Sequence, residues 1–233
     1  MNPPRTPATG GLALSSGVLA ATTVVAALCM GRLFAGTSWV LPVVAAAVGA
    51  HALAWGLRRL AVGGVVASLI SSIFVVLAVA WLALPDATAY GFPGPGFLAT
   101  ARTELARAVA DFRVVVAPTQ PTPGFLAAAV LGAAVAGLLS DWAAFRVRAT
   151  FEALLPSFTL FLFAAVLGDE RMRDLSVAAY LVAATGFLIV HQAGLDGGAT
   201  AWFTSRVRHT GPAVARVFAL LAVVMVLAAV VAA

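Results

Sequence analysis

The stretch Leu60-AVGGVVASLISSIFVVLAVAWLA-Leu84 carries no charged side chain from its first residue to its last. An α-helix needs about 20 mostly apolar residues to cross the hydrocarbon core of a bilayer. A helix also satisfies its own backbone hydrogen bonds, which lipid cannot do. The segment therefore predicts a membrane-spanning helix.

The whole chain has the composition of a membrane protein. Of its 233 residues, 62% are hydrophobic and only 10% are charged, and the mean hydropathy is +1.04. A soluble domain has roughly 45–50% apolar and about 25% charged residues. A soluble fold with this sequence would expose much of its apolar surface to water, so composition alone favours the lipid bilayer as its surroundings.

Six further apolar runs accompany Leu60–Leu84. In chain order the seven predicted spans are Gly11–Met30, Trp39–Trp55, Leu60–Leu84, Phe125–Trp142, Phe151–Leu167, Leu175–Val190 and Ala213–Ala233. We therefore predict an all-α fold, a polytopic membrane helix bundle with about seven transmembrane helices. Residues 1–233 would form one membrane-embedded helical domain.

The interval of residues 85–123 is the one long loop in this prediction. Its apolar residues recur at steps of three and four: Leu98, Ala101, Leu105, Ala108, Phe112 and Val115. Arg102, Glu104, Arg107, Asp111 and Arg113 fall largely on the opposite side, with Arg107 and Asp111 one turn apart. This pattern predicts an amphipathic helix that lies on the outer surface of the bilayer or docks a partner.

The charged residues bear on topology rather than on nucleic acid. The formal net charge is +5 and every basic residue is arginine, in scattered pairs without a basic stripe, so no nucleic-acid partner is expected. Such a composition is typical of a GC-rich, for example actinobacterial, genome. A cytoplasmic N-terminus places eight arginines inside: Arg5, Arg58, Arg59, Arg146, Arg148, Arg206, Arg208 and Arg216. It places six outside: Arg32, Arg102, Arg107, Arg113, Arg171 and Arg173. The positive-inside rule then favours a bacterial plasma-membrane protein with an extracytoplasmic C-terminus.

The densest polar cluster joins the fourth and fifth runs. It comprises Asp141, Trp142, Arg146, Arg148 and Glu152, followed by Pro156. If helix continues through the loop, Arg148 and Glu152 lie one turn apart. Pro156 would then kink the fifth span and free a backbone carbonyl near Glu152. We expect a salt-bridged structural corner here; acidic residues that face a transport cavity are the alternative.

Few other groups could carry chemistry. His51 lies late in the second run and is expected either to bond a neighbouring helix or headgroup, or to act as a proton relay or ligand. His191 follows the sixth run and is expected at the interface. The single cysteine, Cys29, lies in hydrocarbon, where a thiolate is disfavoured. No metal-ligand spacing, phosphate loop or nucleophile elbow occurs, so we predict no catalytic, cofactor or metal site in this chain.

One stretch has a wider resemblance. Pro118-Thr-Gln-Pro-Thr-Pro-Gly124, then Leu139-Ser-Asp-Trp142, Arg146 and Leu154-Leu-Pro-Ser-Phe158 resemble the N-terminal membrane region of bacterial transglutaminase-like membrane proteins of the TgpA type. The resemblance is best over residues 118–168. In that family the helical bundle precedes an extracytoplasmic domain of transglutaminase fold with a Cys-His-Asp triad. None of those triad residues has a counterpart here, and the catalytic domain is absent from this sequence.

The resemblance implies a function for the bundle. It would anchor and position an extracytoplasmic transglutaminase- or protease-like domain in the cell envelope, as part of a longer protein. It also implies partners: a MoxR-type ATPase system and another envelope membrane protein. The alternatives from the residues alone are a small transporter or channel subunit, in which His51, Asp141 and Glu152 would converge on a water-filled cavity, and a lipid-handling envelope protein.

Overall fold

A computed structural model describes residues 9–199 and shows a helical protein. Its helices are α1 (Thr9–Leu28), α2 (Val40–Arg59), α3 (Gly64–Leu82), α4 (Phe97–Asp111), α5 (Pro123–Trp142), α6 (Leu155–Leu167) and α7 (Arg173–Ala199). Short 3-10 segments occur at Cys29–Arg32, Pro85–Ala87 and Glu152–Leu154, with a π-helical turn at Ala143–Val147. A small antiparallel hairpin pairs β1 (Thr88–Ala89) with β2 (Phe92–Pro93). The predicted helical class is thus confirmed for the described residues.

Five helices are long and apolar enough to cross a membrane. They cover Ala13–Arg32, Val40–Arg59, Gly64–Leu82, Pro123–Val147 and Arg173–Ala193, and correspond to the first four predicted runs and the sixth. The fifth run forms a shorter apolar helix, Glu152–Leu167. The predicted seventh span, Ala213–Ala233, lies outside the described residues, as do Arg5, Arg206, Arg208 and Arg216. The chain is therefore a membrane-spanning protein, with five long apolar helices in its described part.

Two compact units are present: residues Thr23–Arg173 and, among described residues, 9–22 with 174–199. In the larger unit, many large apolar side chains face outward, as expected for a protein that lipid surrounds. Val65, Leu69 and Ile73 form an outward stripe on α3 and are 78%, 61% and 59% exposed. Small side chains fill the interior instead, among them Ala46, Ala47, Ala50, Ala133, Ala134 and Ala136. Large residues outside and small ones inside are typical of helices that pack within a bilayer.

The contact between α2 and α5 forms the centre of the larger unit. A Cβ atom at Gly137 would lie 2.9 Å from Ala50 Cβ and 3.3 Å from Ala47 O. On the other side of α5, a Cβ at Gly132 would lie 3.2 Å from Leu160 Cδ2 of α6. Both glycines therefore lie where a neighbouring helix approaches α5 closely. The absence of a Cβ at these positions is what lets the helices approach this closely.

The helices of the larger unit run between two polar ends. At one, here called the Arg32 end, Ala35 N donates to Thr119 O (2.8 Å) and Asp169 N donates to Arg32 O (3.0 Å). At the other, here called the Arg58 end, Arg146 Nη2 donates to Val62 O (3.0 Å). Helices α2 and α5 run from the Arg32 end to the Arg58 end. Helix α6 runs back, from the segment that follows Arg146 to Asp169.

Arg32 was expected in a solvated outer loop, but its side chain is 4% exposed. Its guanidinium donates from Nε to Asp169 O (2.8 Å) and from Nη1 to Ala164 O (3.4 Å), and Nη2 also bonds Asp169 O. Ala164 lies in the last turn of α6, where its carbonyl also accepts from Gly168 N (3.0 Å), and Asp169 lies just beyond the helix, at the negative end of the helix dipole. Arg32 therefore caps α6.

Helix α4 is the predicted amphipathic helix, and it packs against the start of α5. A Cβ at Gly124 would lie 2.2 Å from Glu104 O, so only glycine permits this approach. Arg107 pairs with Glu104 (2.6 Å), three residues earlier, instead of with Asp111. The predicted apolar face is divided: Ala108 is buried, whereas Leu98 is 77% exposed. The exposed part remains available to contact the surface of the bilayer.

In the smaller unit, Thr22 Oγ1 donates to Ala183 O of α7 (3.1 Å). Helix α7 continues past the predicted limit of Val190 to Ala199. His191, expected at the membrane interface, is 2% exposed and stacks on Phe187, with 5.1 Å between ring centroids. It therefore packs as a core residue of this helix.

Candidate functional site

The most polar part of the larger unit's interior is an ion pair between α2 and α5 at the Arg58 end. Arg58 Nη2 lies 3.1 Å from Asp141 Oδ2, and the two side chains are 20% and 2% exposed. Arg58 occupies the last turn of α2, and Asp141 precedes the last residue of α5. Since α2 has 20 residues and rises about 30 Å, the pair lies close to one face of the membrane rather than at its centre.

The turn after α5 completes this cluster. A π-helical turn, Ala143–Val147, extends α5 and directs Phe145 and Arg146 back towards α2 and the α2–α3 loop. Arg58 Cζ lies 3.9 Å from the centroid of the Phe145 ring, so its guanidinium is held between a carboxylate and an aromatic face. Arg146 reaches across to the carbonyl of Val62. At the Arg58 end, three contacts therefore join α2 and the loop after it to the end of α5 and its π-helical turn.

A groove of about 340 Å³ opens beside this cluster. Helices α2, α3 and α5 form its walls, and Arg58, Asp141 and Arg146 lie at its polar end. Most of the remaining lining is apolar: Ala54, Leu57, Val75, Val135, Leu138 and Leu139. Its volume is within the range of small-molecule binding sites.

The sequence of α3 explains the groove. In the first part of α3, the residues that line the groove are all small. They are Gly64, Ala67, Ser68, Ser71 and Ser72. These positions recur at steps of three and four and so share one helix face. At the opposite end of α3, Ala78, Val79 and Ala80 are buried against neighbouring helices. Gly64 and Ser68, four residues apart on this face, leave open space beside α3.

The predicted polar cluster is divided by the structure. Asp141, Trp142 and Arg146 line the groove, whereas Arg148 and Glu152 do not. Arg148 adopts a left-handed conformation (φ 63°) that ends the helical turn, so the two residues are not on successive turns of one helix. Accordingly, no ion pair between them is found in the described part of the chain, where Asp141 pairs with Arg58.

Pro156 has a different role from the predicted one. Helix α6 begins at Leu155, which puts Pro156 in its first turn rather than at a kink within a span. A proline is well tolerated there because the first N–H groups of a helix have no intrahelical acceptor. The 3-10 turn Glu152–Leu154 precedes it, and Glu152 is exposed.

His51 lies apart from the groove. Its ring is 6% exposed, and Nε2 is 2.9 Å from Thr23 Oγ1 at the end of α1. Another side of the His51 ring packs directly against α5, because a Cβ at Gly137 would lie 3.3 Å from His51 Cδ2. Thus His51, Asp141 and Glu152 do not line a common cavity. Across residues 9–199, no three His, Cys, Asp or Glu side chains are grouped so that they could hold a metal ion.

The sequence analysis did not identify Arg58 as the partner of Asp141. Arg58 and Arg59 were assigned together to a cytoplasmic loop, whereas both belong to the last turn of α2. Arg59 is exposed and lies over the Trp55 ring, with 5.0 Å from Cζ to the centroid, and Arg58 turns inward. Adjacent helical residues point about 100° apart, so only one of the two can face Asp141.

The fold and this cluster define a polytopic helical membrane protein with a charged groove at one end of its bundle. Comparison with known proteins adds no closer assignment: no family model, no curated protein and no solved structure matches the chain.

Proposed function

We propose that this chain is a membrane domain that anchors and positions an extracytoplasmic domain of transglutaminase type in a bacterial plasma membrane. The N-terminus would be cytoplasmic, and the C-terminus extracytoplasmic. The TgpA-type resemblance of residues 118–168 motivates the proposal, and the path of α6 is the observation that carries it. Because α6 runs from the Arg58 end to the Arg32 end, it counts as a membrane crossing between α5 and α7.

The exposed face of α6 supports this count. Leu155, Phe158, Leu162 and Val166 form a stripe along it and are between 43% and 70% exposed. Such a stripe suits contact with lipid acyl chains. The capping of the end of α6 by Arg32 supplies hydrogen-bond donors to the Asp169 carbonyl, which lipid could not do. With the predicted span Ala213–Ala233, the crossings total seven, and an odd number puts the two termini on opposite sides.

The arrangement of the Arg32 end also suits an anchor. Helix α4 is held there by its close contact with α5 at Gly124. In the proposed topology this end is extracytoplasmic, so α4 would present a fixed surface beside the attached domain. The partners proposed with the resemblance, a MoxR-type ATPase and a companion membrane protein, can be tested by co-purification with the full-length protein.

Cysteine accessibility in intact cells tests the topology. Single cysteines would replace Thr103, Val147 and Ala233 in a Cys29→Ala background, and an impermeant maleimide would be applied. Thr103 on α4 and Val147 in the π-helical turn both have exposed side chains. We expect labelling at Thr103 and Ala233 but not at Val147, with a permeant maleimide as the control for reactivity. Labelling at Val147 alone would invert the topology and remove the basis of the proposal.

The transporter or channel alternative has less support from the geometry. It requires His51, Asp141 and Glu152 to line one cavity, and of these only Asp141 lines the groove. Glu152→Gln is its direct test: a loss of ion or solute flux in proteoliposomes at unchanged expression would favour transport. Flux in neither protein would leave the anchor as the better proposal.

A further inference from the structure

The walls of the groove are suited to a hydrocarbon chain. Helix α3 contributes serines, but Ser68 Oγ donates to Gly64 O and Ser72 Oγ donates to Ser68 O, both at 3.0 Å. These hydroxyl groups use their protons within their own helix, as serines in apolar surroundings do. The surrounding alanine, leucine and valine side chains offer no hydrogen-bonding group. A polar solute would gain few partners along this surface.

The polar end of the groove carries excess positive charge. Arg58 and Asp141 neutralise each other across 3.1 Å. Arg146 has no carboxylate partner within residues 9–199, and its hydrogen bond to Val62 O uses one of its five N–H donors. Its side chain is exposed. The charge that remains for a ligand is therefore one guanidinium with most of its donors available.

The apolar walls and the cationic end together suit an amphiphilic ligand. We propose that the groove between α2, α3 and α5 binds one anionic phospholipid from the leaflet at the Arg58 end, with its headgroup phosphate on Arg146 and an acyl chain along Ser68, Ser71 and Ser72. Guanidinium groups bind phosphate oxygens through paired, charge-assisted hydrogen bonds. Basic sites between transmembrane helices recognise anionic headgroups in this way.

The orientation of the groove identifies the bilayer as the source of the ligand. The groove runs along α3, whose neighbouring face exposes Val65 and Leu69 to lipid. Its cation lies at the helix end, at headgroup depth, and its apolar walls extend towards the centre of the membrane. A bilayer phospholipid already has this alignment, with the phosphate at the surface and the chain along the helix axis. The proposal depends on the membrane embedding and not on the attached enzyme.

Lipid binding by the purified protein tests the proposal. Detergent-delipidated protein would be titrated with phosphatidylglycerol or with phosphatidylcholine of the same acyl chains, and bound lipid would be counted by native mass spectrometry. We expect one phosphatidylglycerol to bind with a preference of roughly tenfold, the value of one charge-assisted contact. Arg146→Gln should abolish the preference. Arg102→Gln, which removes an exposed arginine on α4, is the matched control and should preserve it.

A second variant tests the acyl-chain part of the site. Ser72→Leu fills the groove without changing its charge, so both lipids should bind more weakly. Thr159→Leu makes a comparable change on the exposed surface of α6 and should have no effect. The proposal fails if the two arginine variants behave alike or if the two leucine variants behave alike. It also fails if millimolar glycerol phosphate displaces phosphatidylglycerol, because the ligand would then be a soluble anion.

Discussion

The buried pair of Arg58 and Asp141 makes a quantitative prediction about stability. Arg58→Met keeps much of the length of the side chain but removes its charge. The carboxylate of Asp141, 2% exposed, then loses the cation 3.1 Å away. Removing one partner of a buried pair costs about 3–5 kcal/mol, because the remaining charge is left without compensation. We expect Arg58→Met to lower the free energy of unfolding by about that amount.

The double variant separates the cost of an orphaned charge from the value of the pair. Replacing both partners, as in Arg58→Met with Asp141→Leu, removes the desolvation cost together with the attraction. Such replacements are often neutral or stabilising by about 1–4 kcal/mol. The double variant should therefore be more stable than either single variant. Arg58→Met also removes the contact of Arg58 with Phe145. The interaction energy of the ion pair itself is therefore given by the coupling term of the double-mutant cycle.

Unfolding in mixed micelles measures these differences. The protein would be titrated with dodecyl sulfate in a neutral detergent, and helicity would be followed by circular dichroism. The pair of Glu104 and Arg107 on α4, in which the arginine is 60% exposed and the glutamate 16% exposed, supplies the control, since an ion pair at the protein surface contributes about 0–1 kcal/mol. Arg107→Met should have a correspondingly small effect. Losses below about 1 kcal/mol for Arg58→Met, or a double variant as unstable as the sum of the singles, would contradict the assignment of a buried, coupled pair.

Three further variants address helix contacts. Gly137→Ala should destabilise the bundle in the same unfolding assay, because its Cβ would lie 2.9 Å from Ala50 Cβ, whereas Gly56→Ala, with nothing within 4 Å, should be neutral or stabilising; equal effects would contradict the close crossing of α2 and α5. Gly124→Ala should displace α4 and speed amide hydrogen exchange in residues 97–111, and unchanged exchange would refute the tight contact. Arg32→Lys should lose about 1–3 kcal/mol, because a lysine cannot bond both carbonyls at the end of α6; full stability would argue against the cap.

Within residues 9–199, the sequence was sufficient to predict the helices and most of their limits. Hydropathy marks a helix that lipid surrounds, and the structure begins α5 at Pro123, two residues before the predicted Phe125. Thr122 explains the difference, since its hydroxyl accepts from Phe125 N (3.5 Å) and Pro123 takes the first helical position. The start of α6 was predicted less well, because a proline inside an apolar run can indicate either a kink or a helix start.

The partners of the charged residues could not be predicted in the same way. Asp141 was expected to belong to a corner formed by its own hairpin, yet its partner comes from α2, 83 positions earlier in the chain. Local spacing favoured Arg148 and Glu152, but that pairing needed continuous helix, which the left-handed Arg148 interrupts. Arg32 is similar: its carbonyl partners belong to the end of α6. Pairings between distant helices depend on packing, which a single sequence does not display.

Small residues show why packing decides the meaning of a pattern. On α5 the pairs Gly132/Ala136 and Ala133/Gly137, and on α3 the pair Gly64/Ser68, are small residues with the same four-residue spacing. At α5 the neighbouring helices fill the space that a missing side chain leaves, and the result is a closed core. Among the described residues, no helix fills the space beside the first turns of α3, and a groove lies there next to Arg146. Within residues 9–199 the groove thus lies where a face of small residues has no protein neighbour, and this is the space that the proposed phospholipid would fill.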